Sequence, residues 1–210
     1  MISRPAIIVL AAGRGSRFRG LHHKLMQGLG ASTVLATTLS NALATQLQVL
    51  VVTSEPLAEL VSRHVATRDM VVLPAADSPA SQRLGMGYSI AAGVAARSDA
   101  TGWLILPADM PMVQTRTLNV VASELESHAI AYAQYRGRRG HPVGFAAELY
   151  SELVMLTGDE GARRLVARYP ALGVEVDDPG VLLDVDTEDD LARVRAAQQQ
   201  MQFREGRPPV

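Results

Sequence analysis

The sequence of 210 residues contains no cysteine, only one lysine and few aromatic residues. The absence of cysteine excludes a disulfide framework, a thiolate metal site and a cysteine nucleophile, and it fits a reducing compartment. No apolar run approaches the roughly 20 residues that span a bilayer. The short apolar run from Ala6 to Ala12 leads into an arginine-rich loop, unlike a signal peptide. We therefore expect a cytoplasmic protein with no membrane partner.

Length, hydrophobicity and net charge are ordinary for a globular protein. Hydrophobic residues make up 48% of the chain and charged residues 20%, with a net charge of -1. A chain of this length buries roughly 70% of its unfolded surface, so its core needs no covalent staple. A charge near zero argues against a nucleic-acid partner. We expect one domain over residues 1–196, followed by a flexible tail over residues 197–210.

Charge is distributed unevenly although it nearly cancels. No acidic residue precedes Glu55, whereas the segment from Glu175 to Asp190 is rich in carboxylates and has no lysine or arginine. Lys24 is the only lysine among 20 lysine and arginine residues, which indicates a position where a compact ammonium serves better than a guanidinium. If the fold joins these segments, they would suit a metal–phosphate ligand. Two solvated charge runs are the alternative.

Apolar runs alternate with helical periodicity through the first 128 residues. Four short runs predict strands that are buried on both faces, namely residues 6–10, 49–52, 70–73 and 103–106. Between and after them, apolar stripes predict helices that contain Leu35, Leu57, Ile90 and Leu118. This alternation predicts an α/β fold whose mostly parallel sheet is covered by helices on both faces. Such sheets bind ligands at the carboxyl ends of their strands.

Beyond residue 128 the pattern is less regular. Apolar runs at residues 130–133, 143–145 and 181–185 predict further strands. A short helix is expected around residues 148–155, and the segment from Thr187 to Asp190 has the capping-box pattern of a helix start.

The loop after the first predicted strand is the most informative segment. Its sequence, Leu10-Ala11-Ala12-Gly13-Arg14-Gly15-Ser16-Arg17-Phe18, lets backbone N–H groups approach phosphate oxygens, and Arg17 and Lys24 add positive charge. A dinucleotide fingerprint is excluded because Phe18 stands where its third glycine is needed. A Walker loop is excluded because Gly20 is followed by Leu21-His22 rather than by lysine and serine or threonine.

This loop and five later segments, taken in order, resemble the molybdenum cofactor cytidylyltransferase branch of the nucleotidyltransferases, with the guanylyltransferases as cousins. The later segments are Gly85-Met86-Gly87-Tyr88-Ser89, Leu106-Pro107-Ala108-Asp109-Met110-Pro111, Arg139-Gly140-His141-Pro142-Val143, Gly158-Asp159-Glu160-Gly161-Ala162-Arg163 and Asp184-Val185-Asp186-Thr187. The chain departs from the usual pattern after Lys24, where Leu25-Met26-Gln27-Gly28 lacks a proline. The resemblance implies a Rossmann-like three-layer α/β/α fold of the GT-A, nucleotide-diphospho-sugar transferase type.

The resemblance also implies roles for particular residues. It divides the domain into a nucleotide-binding part, about residues 1–128, and an acceptor-binding part, about residues 129–196. Asp109 and Asp186 would bind Mg²⁺, and Lys24, Arg17 and Asp109 would be catalytic. Nucleotide contacts would come from Leu10, Ala11, Ala12, Gly13, Gly15, Lys24, Gly87, Ser89 and Asp109. Acceptor contacts would come from His141, Asp159 and Arg163.

Each of these residues also has a purely structural interpretation. A carboxylate at position 109 would serve to cap a turn, and Asp186 would simply precede the helix cap at Thr187. Ser89 would belong to a helix N-terminus, and Asp159 would pair with Arg163 across a helix turn. Four further cations of the first loop are expected to be solvated: Arg14, Arg19, His22 and His23.

The implied activity is transfer of CMP from CTP to molybdenum-bearing molybdopterin, with release of pyrophosphate. The Leu10-Ala11-Ala12-Gly13 form favours cytosine, and GTP is the alternative nucleotide. Transfer to a sugar phosphate or an alcohol phosphate is a second alternative, and a nucleotide-binding, chaperone-like module without catalysis is a third. A molybdoenzyme or its chaperone would be the protein partner.

Overall fold

The computed structural model describes residues 4–13, 15–20, 22–74 and 85–205, with side chains through residue 201. Its strands are β1 (Ala6–Ala11), β2 (Gly28–Leu29), β3 (Ser32–Thr33), β4 (Gln48–Ser54), β5 (Met70–Leu73), β6 (Gly102–Pro107), β7 (Ile130–Tyr135), β8 (Arg138–Ala146) and β9 (Ala171–Glu175). Its α-helices are α1 (Val34–Leu43), α2 (Glu55–Ser62), α3 (Met86–Ala95), α4 (Thr115–Glu124), α5 (Tyr150–Leu153), α6 (Arg163–Arg168) and α7 (Glu188–Glu205). Short 3-10 helices cover Lys24–Met26, Thr67–Asp69, Ala147–Leu149 and Pro179–Leu182.

A seven-stranded sheet in the order β5-β4-β1-β6-β8-β7-β9 forms the centre of the molecule. The pairs β5–β4, β4–β1, β1–β6 and β7–β9 are parallel, whereas β8 runs antiparallel to both β6 and β7. The mostly parallel sheet confirms the fold class expected from the sequence. All four apolar runs predicted in the first 128 residues became strands. The runs that form β1, β4 and β6 are buried on both faces, whereas β5 is an edge strand in which Leu73 is buried and Val72 is exposed.

Helices cover both faces of this sheet and complete three layers. One face packs against α1, α2, α4 and α7 through side chains such as Leu35, Val61 and Leu118. The other face packs against α3, α5 and α6 through Ile90, Leu153 and Leu165. Within the described ranges, no helix is long and apolar enough to cross a membrane.

The apolar run at residues 181–185 does not form the strand that was expected. Pro179–Leu182 is a 3-10 helix, and Val181 and Val185 are buried in the core without joining the sheet. An apolar run indicates that its side chains are buried but does not fix their secondary structure, and here the preceding Asp178-Pro179-Gly180 sequence favours a turn over an extended strand.

Helix α7 begins at the expected capping box and continues to Glu205, beyond the domain boundary expected at residue 196. Ala197 and Met201, one helical turn apart, still pack against the core and extend the helix.

Asp178 is the fully buried carboxylate of the acidic segment, and it connects two elements rather than binding a ligand. It accepts hydrogen bonds from Gln114 N at 2.9 Å, from Thr117 Oγ1 at 2.6 Å and from Gly180 N at 3.0 Å. The carboxylate therefore caps the start of α4 and anchors the 3-10 helix beside it.

Asp178→Ala is expected to lower the free energy of unfolding by about 3 kcal/mol, because it leaves several buried donors without an acceptor. Urea unfolding measures the change. Asp177→Ala, at an exposed neighbour in the same segment, is the matched control and should stay within about 0.5 kcal/mol of wild type. Equal stability of the two variants would contradict the structural role of Asp178.

Candidate active site

The loop that follows β1 is open to solvent at the carboxyl edge of the sheet. Gly13 is exposed, and a Cβ added there would meet no atom within 4 Å, so the backbone is accessible to a ligand. Gly15 has a φ of 61°, in the left-handed region that favours glycine. The first half of the predicted nucleotide set therefore lies together: Leu10, Ala11, Ala12, Gly13 and Gly15. Arg14 and its contacts lie outside the described residues.

Backbone hydrogen bonds bring the ends of β1 and β6 together with the segment before α7. Ala108 N donates to Leu10 O at 3.0 Å, and Val185 N donates to Asp109 O at 2.9 Å. The capping box then fixes the start of α7, where Asp190 accepts from Thr187 N at 2.8 Å and returns its own N–H to Thr187 Oγ1 at 3.2 Å. Asp109 and Asp186 are thereby presented at the same edge.

Lys24 joins these two carboxylates directly. Its Nζ lies 2.5 Å from Asp109 Oδ2 and 2.7 Å from Asp186 Oδ1, and its side chain is only 11% exposed. Arg17 adds a second cation, with NH1 2.8 Å from Asp186 Oδ2, but its side chain is 75% exposed. The structure therefore brings together Arg17, Lys24, Asp109 and Asp186, although they come from three distant parts of the chain.

Two pKa shifts describe the electrostatics of this cluster. Burial lowers the pKa of Lys24, but the charges and hydrogen bonds of Asp109 and Asp186 outweigh burial, so the pKa is raised and the ammonium stays charged. Partial burial raises the pKa of Asp184, and the negative charges of Asp186 and Asp109 raise it further. The neighbourhood is thus rich in negative charge and suited to cations.

His23 was expected to be solvated, and that expectation is wrong. Its Nε2 lies 3.0 Å from Gly13 O, and its Nδ1 accepts from Leu25 N at 3.2 Å. Because Nδ1 is an acceptor, the neutral ring donates from Nε2. Burial lowers the pKa of His23 and the charge of Lys24 lowers it further, against the hydrogen bond to Gly13. The imidazole therefore links the glycine loop to the segment that carries Lys24, while His22 is exposed as expected.

Gly87 and Ser89 lie on α3, where the described contacts are with other parts of the protein. Gly87 N donates to Gly158 O at 2.8 Å, and a Cβ at Gly87 would approach Thr157 O to 2.7 Å. Ser89 is buried, and its hydroxyl donates to Gly85 O at 3.2 Å within the first helical turn. Close packing against residues 157–158 accounts for the small residue at position 87.

The three expected acceptor residues have their described contacts in different places. His141 is close enough to Asp109 for that charge to oppose the burial that lowers the pKa of His141, and its buried Nδ1 has no hydrogen-bond partner. Asp159 lies against the start of α3, with Oδ1 2.5 Å from where a Cβ of Gly85 would stand. Arg163 lies near Arg139, whose pKa is lowered by burial and also by the charge of Arg163.

Arg139 is a site candidate that the sequence analysis did not single out. Its guanidinium stacks 4.6 Å from the centre of the Tyr132 ring. Two neighbouring guanidiniums repel each other, so the pair favours an anion between them. Arg139 pairs with Gln134 of β7, and the register of the two strands shifts between Arg139 and Val143, so the local sequence gave no signal for its position.

The carboxylate pair fits a divalent cation by its donor chemistry. Asp109 Oδ1 is buried and has no hydrogen-bond partner, which leaves a strong oxygen ligand unused. Among the residues described, no group of three or more histidine or acidic side chains converges on one point. Mg²⁺ commonly takes one or two carboxylates and completes its shell with phosphate and water oxygens. Two aspartates beside an open glycine loop therefore match that ion.

Comparison with known proteins agrees with this architecture. A sheet edge that offers an open glycine loop, a lysine and two carboxylates is suited to phosphate chemistry, and the protein is a nucleotidyltransferase. It belongs to the family of the MobA-like NTP transferase domain, whose family model matches residues 7–173. Both the Rossmann-like fold and the family expected from the sequence are thereby confirmed.

Individual relatives cover nearly the whole chain. Purine catabolism protein PucB of Bacillus subtilis (strain 168) is 30% identical over 206 residues, which cover 90% of this chain and 95% of PucB. The crystal structure of Rv0371c from Mycobacterium tuberculosis H37Rv has a TM-score of 0.79 at 28% identity and covers 93% of this chain and 99% of its own. A complex of Rv0371c with manganese has a TM-score of 0.74 at 28% identity and covers 92% and 99%.

Proposed function

We propose that this protein transfers CMP from CTP to the terminal phosphate of molybdenum-bearing molybdopterin in a Mg²⁺-dependent reaction. The observation that carries the proposal is the contact of Lys24 with both Asp109 and Asp186 beside the open loop at Gly13. Cationic groups and carboxylate oxygens thus lie at the carboxyl ends of the strands, the edge at which sheets of this kind bind ligands, and this supports the proposal.

In the proposed reaction, an oxygen of the acceptor phosphate forms a bond to the α-phosphorus of CTP. The bond between that phosphorus and the bridging oxygen of the β-phosphate breaks, and pyrophosphate leaves with the electron pair. The acceptor oxygen is already ionised, so no general base is needed. The protein therefore acts by holding two anions in line and neutralising their charge.

The chain's own residues supply that neutralisation. Asp109 and Asp186 would hold Mg²⁺, which supplies charge neutralisation at the phosphate oxygens when bound. Lys24 and Arg17, with N–H groups of the glycine loop, would stabilise the negative charge that develops on the departing pyrophosphate. Leu10, Ala11, Ala12, Gly87 and Ser89 are proposed to form the surroundings of the nucleotide base.

The acceptor is proposed to contact His141, Asp159 and Arg163. Arg139 joins this group because its guanidinium lies near Arg163 and would share an anionic acceptor with it. A molybdoenzyme or its chaperone would receive the finished cofactor, and the cytoplasm is the proposed location.

The choice of CTP and of molybdopterin rests on the family resemblance rather than on a measured contact. The family name supports an NTP as the donor, and the manganese complex of Rv0371c supports a divalent metal. The name of PucB refers to purine catabolism and names no acceptor. GMP transfer from GTP, and transfer to a sugar phosphate or an alcohol phosphate, are therefore the competing activities.

A pyrophosphate-release assay separates these activities. The protein is incubated with CTP or GTP, with or without Mg²⁺, and with molybdenum-bearing molybdopterin, a sugar phosphate or no acceptor. We expect pyrophosphate and a cytosine dinucleotide, identified by mass, only when CTP, Mg²⁺ and the molybdopterin are all present. Release of pyrophosphate with GTP but not CTP, or with a sugar phosphate but not molybdopterin, would reject the proposed substrate pair.

His23→Ala is expected to raise the KM for nucleotide by about 5- to 10-fold and to change kcat less, since it frees the Gly13 carbonyl and loosens the loop. Steady-state kinetics measure both constants. His22→Ala is the matched control because His22 is an adjacent but exposed imidazole. A KM for nucleotide that is the same in the two variants would contradict the role assigned to His23.

Arg139→Met is expected to raise the KM for the acceptor by about 10-fold while the KM for nucleotide stays unchanged, because a charge-assisted contact to an anion is lost. Arg138→Met is the control, since alternation turns its side chain to the opposite face of β8. If the KM for nucleotide rises instead, Arg139 belongs to the nucleotide side of the site.

A further inference from the structure

We infer that Lys24 competes with the divalent metal for Asp109 and Asp186, so that the metal binds well only after a nucleoside triphosphate has drawn the lysine away. This inference rests on the proposed function, because it assumes that these two carboxylates are the metal ligands. It adds an order of binding and a coupling between metal and nucleotide.

Three of the four carboxylate oxygens of Asp109 and Asp186 already contact a cationic side chain. Lys24 Nζ contacts Asp109 Oδ2 at 2.5 Å and Asp186 Oδ1 at 2.7 Å, and Arg17 NH1 contacts Asp186 Oδ2 at 2.8 Å. Of the four carboxylate oxygens, Asp109 Oδ1 is the one without a described hydrogen-bond partner. A divalent ion that binds both aspartates must therefore take at least one oxygen of Asp186 that Lys24 or Arg17 now holds.

Charge makes simultaneous occupancy unfavourable. The side chain of Lys24 is only 11% exposed and its ammonium contacts both carboxylates, so a metal ion between them would lie within a few ångströms of a positive charge. Repulsion at that separation is screened only weakly away from bulk water. The protein without nucleotide is therefore expected to bind a divalent ion weakly.

A triphosphate in the glycine loop changes this balance. Its oxygens offer Lys24 and Arg17 charge-assisted partners that are stronger than neutral ones. As these side chains turn to phosphate, Asp109 and Asp186 become available to the metal. Coupling of this kind is reciprocal, so the metal must increase the affinity for nucleotide by the same factor.

The test is a titration of the intact protein with Mn²⁺ alone, followed by the electron paramagnetic resonance signal of free Mn²⁺. We expect Lys24→Met and Lys24→Gln to bind Mn²⁺ at least about 10-fold more tightly than wild type without nucleotide, a typical size for coupling between sites. Lys24→Gln guards against misfolding of the apolar variant, and melting curves verify that each variant is folded.

Arg17→Met is the matched control because it also removes a cation bonded to Asp186, but an exposed one. Its gain should not exceed about 3-fold, since an exposed ion pair is weak. Unchanged Mn²⁺ affinity in both Lys24 variants, or equal gains in Mn²⁺ affinity in the Lys24 and Arg17 variants, would overturn the competition.

The same titration in the presence of α,β-methylene-CTP separates failure of this inference from failure of the proposed function. Suppose that wild type binds Mn²⁺ tightly with α,β-methylene-CTP, but that the Lys24 variants without nucleotide bind Mn²⁺ no more tightly than wild type does. That result overturns only this inference, whereas no Mn²⁺ binding by any variant, with or without nucleotide, overturns the proposed function as well.

Discussion

Asp109→Ala is expected to lower turnover by at least about 100-fold, which is the scale of removing one preorganised group that stabilises transition-state charge. Asp109 follows the buried strand β6 and contacts Lys24 through Oδ2, while its buried Oδ1 has no partner. The substitution thus removes a proposed metal ligand and one anchor of the lysine. The rate of pyrophosphate release at saturating CTP and acceptor measures the loss.

Asp184→Ala is the control for this loss. Asp184 lies close enough to Asp109 and Asp186 for their charges to raise its pKa, so its removal changes the negative potential without removing a contact to Lys24. We expect Asp184→Ala to retain turnover within about 3-fold of wild type. Turnover near wild type in Asp109→Ala would reject the proposed metal role of that residue.

Lys24→Met is expected to lower kcat/KM for nucleotide by about 100-fold, because it removes the cation proposed to stabilise the departing pyrophosphate. The same substitution that strengthens the binding of metal alone should therefore weaken catalysis. Opposite effects on two measurements distinguish this role from a general loss of structure, which would weaken both.

Arg17→Met is again the appropriate comparison. Its side chain is mostly exposed, so we expect a smaller decrease in kcat/KM, of about 10-fold. Kinetic constants of Lys24→Met that match those of wild type would refute the phosphate contact. A decrease in Arg17→Met as large as that in Lys24→Met would assign the main stabilisation to Arg17 instead.

The sequence predicted the central strands well because buried strands appear in it as continuous apolar runs. The runs that became β1, β4 and β6 are apolar on both faces, and burial on both faces is what a central parallel strand requires. The same signal failed at residues 181–185, where the apolar side chains fill the core beside a 3-10 helix. Strand β9 was not predicted, since its half-buried residues give a weak pattern.

The composition indicated the cationic part of the site, whereas Asp109 and Asp186 were expected from the family resemblance. The lone lysine pointed to position 24, whereas the contacts of Lys24 with Asp109 and Asp186 depend on side-chain placement across most of the chain. Several acidic residues of the last quarter proved to have structural roles. Asp178 caps α4 from a buried position, and Asp190 completes the capping box of α7.

The contacts of His23 could not be predicted from the sequence. A histidine beside a glycine-rich loop was expected to be solvated. Nothing in the local sequence reveals that its ring hydrogen-bonds to Gly13 O and accepts a hydrogen bond from Leu25 N. Arg139 is similar, since it comes near Arg163 only in the folded chain. Both residues are set by tertiary contacts rather than by local sequence.

The most direct measurement is a crystal structure of the protein with Mn²⁺ and α,β-methylene-CTP, in which the anomalous signal locates the metal. We expect one ion bonded to Asp109, Asp186 and phosphate oxygens, with the ammonium of the single lysine turned from the aspartates to the triphosphate. A metal bound elsewhere, or a triphosphate that lies away from the loop after β1, would contradict this expectation.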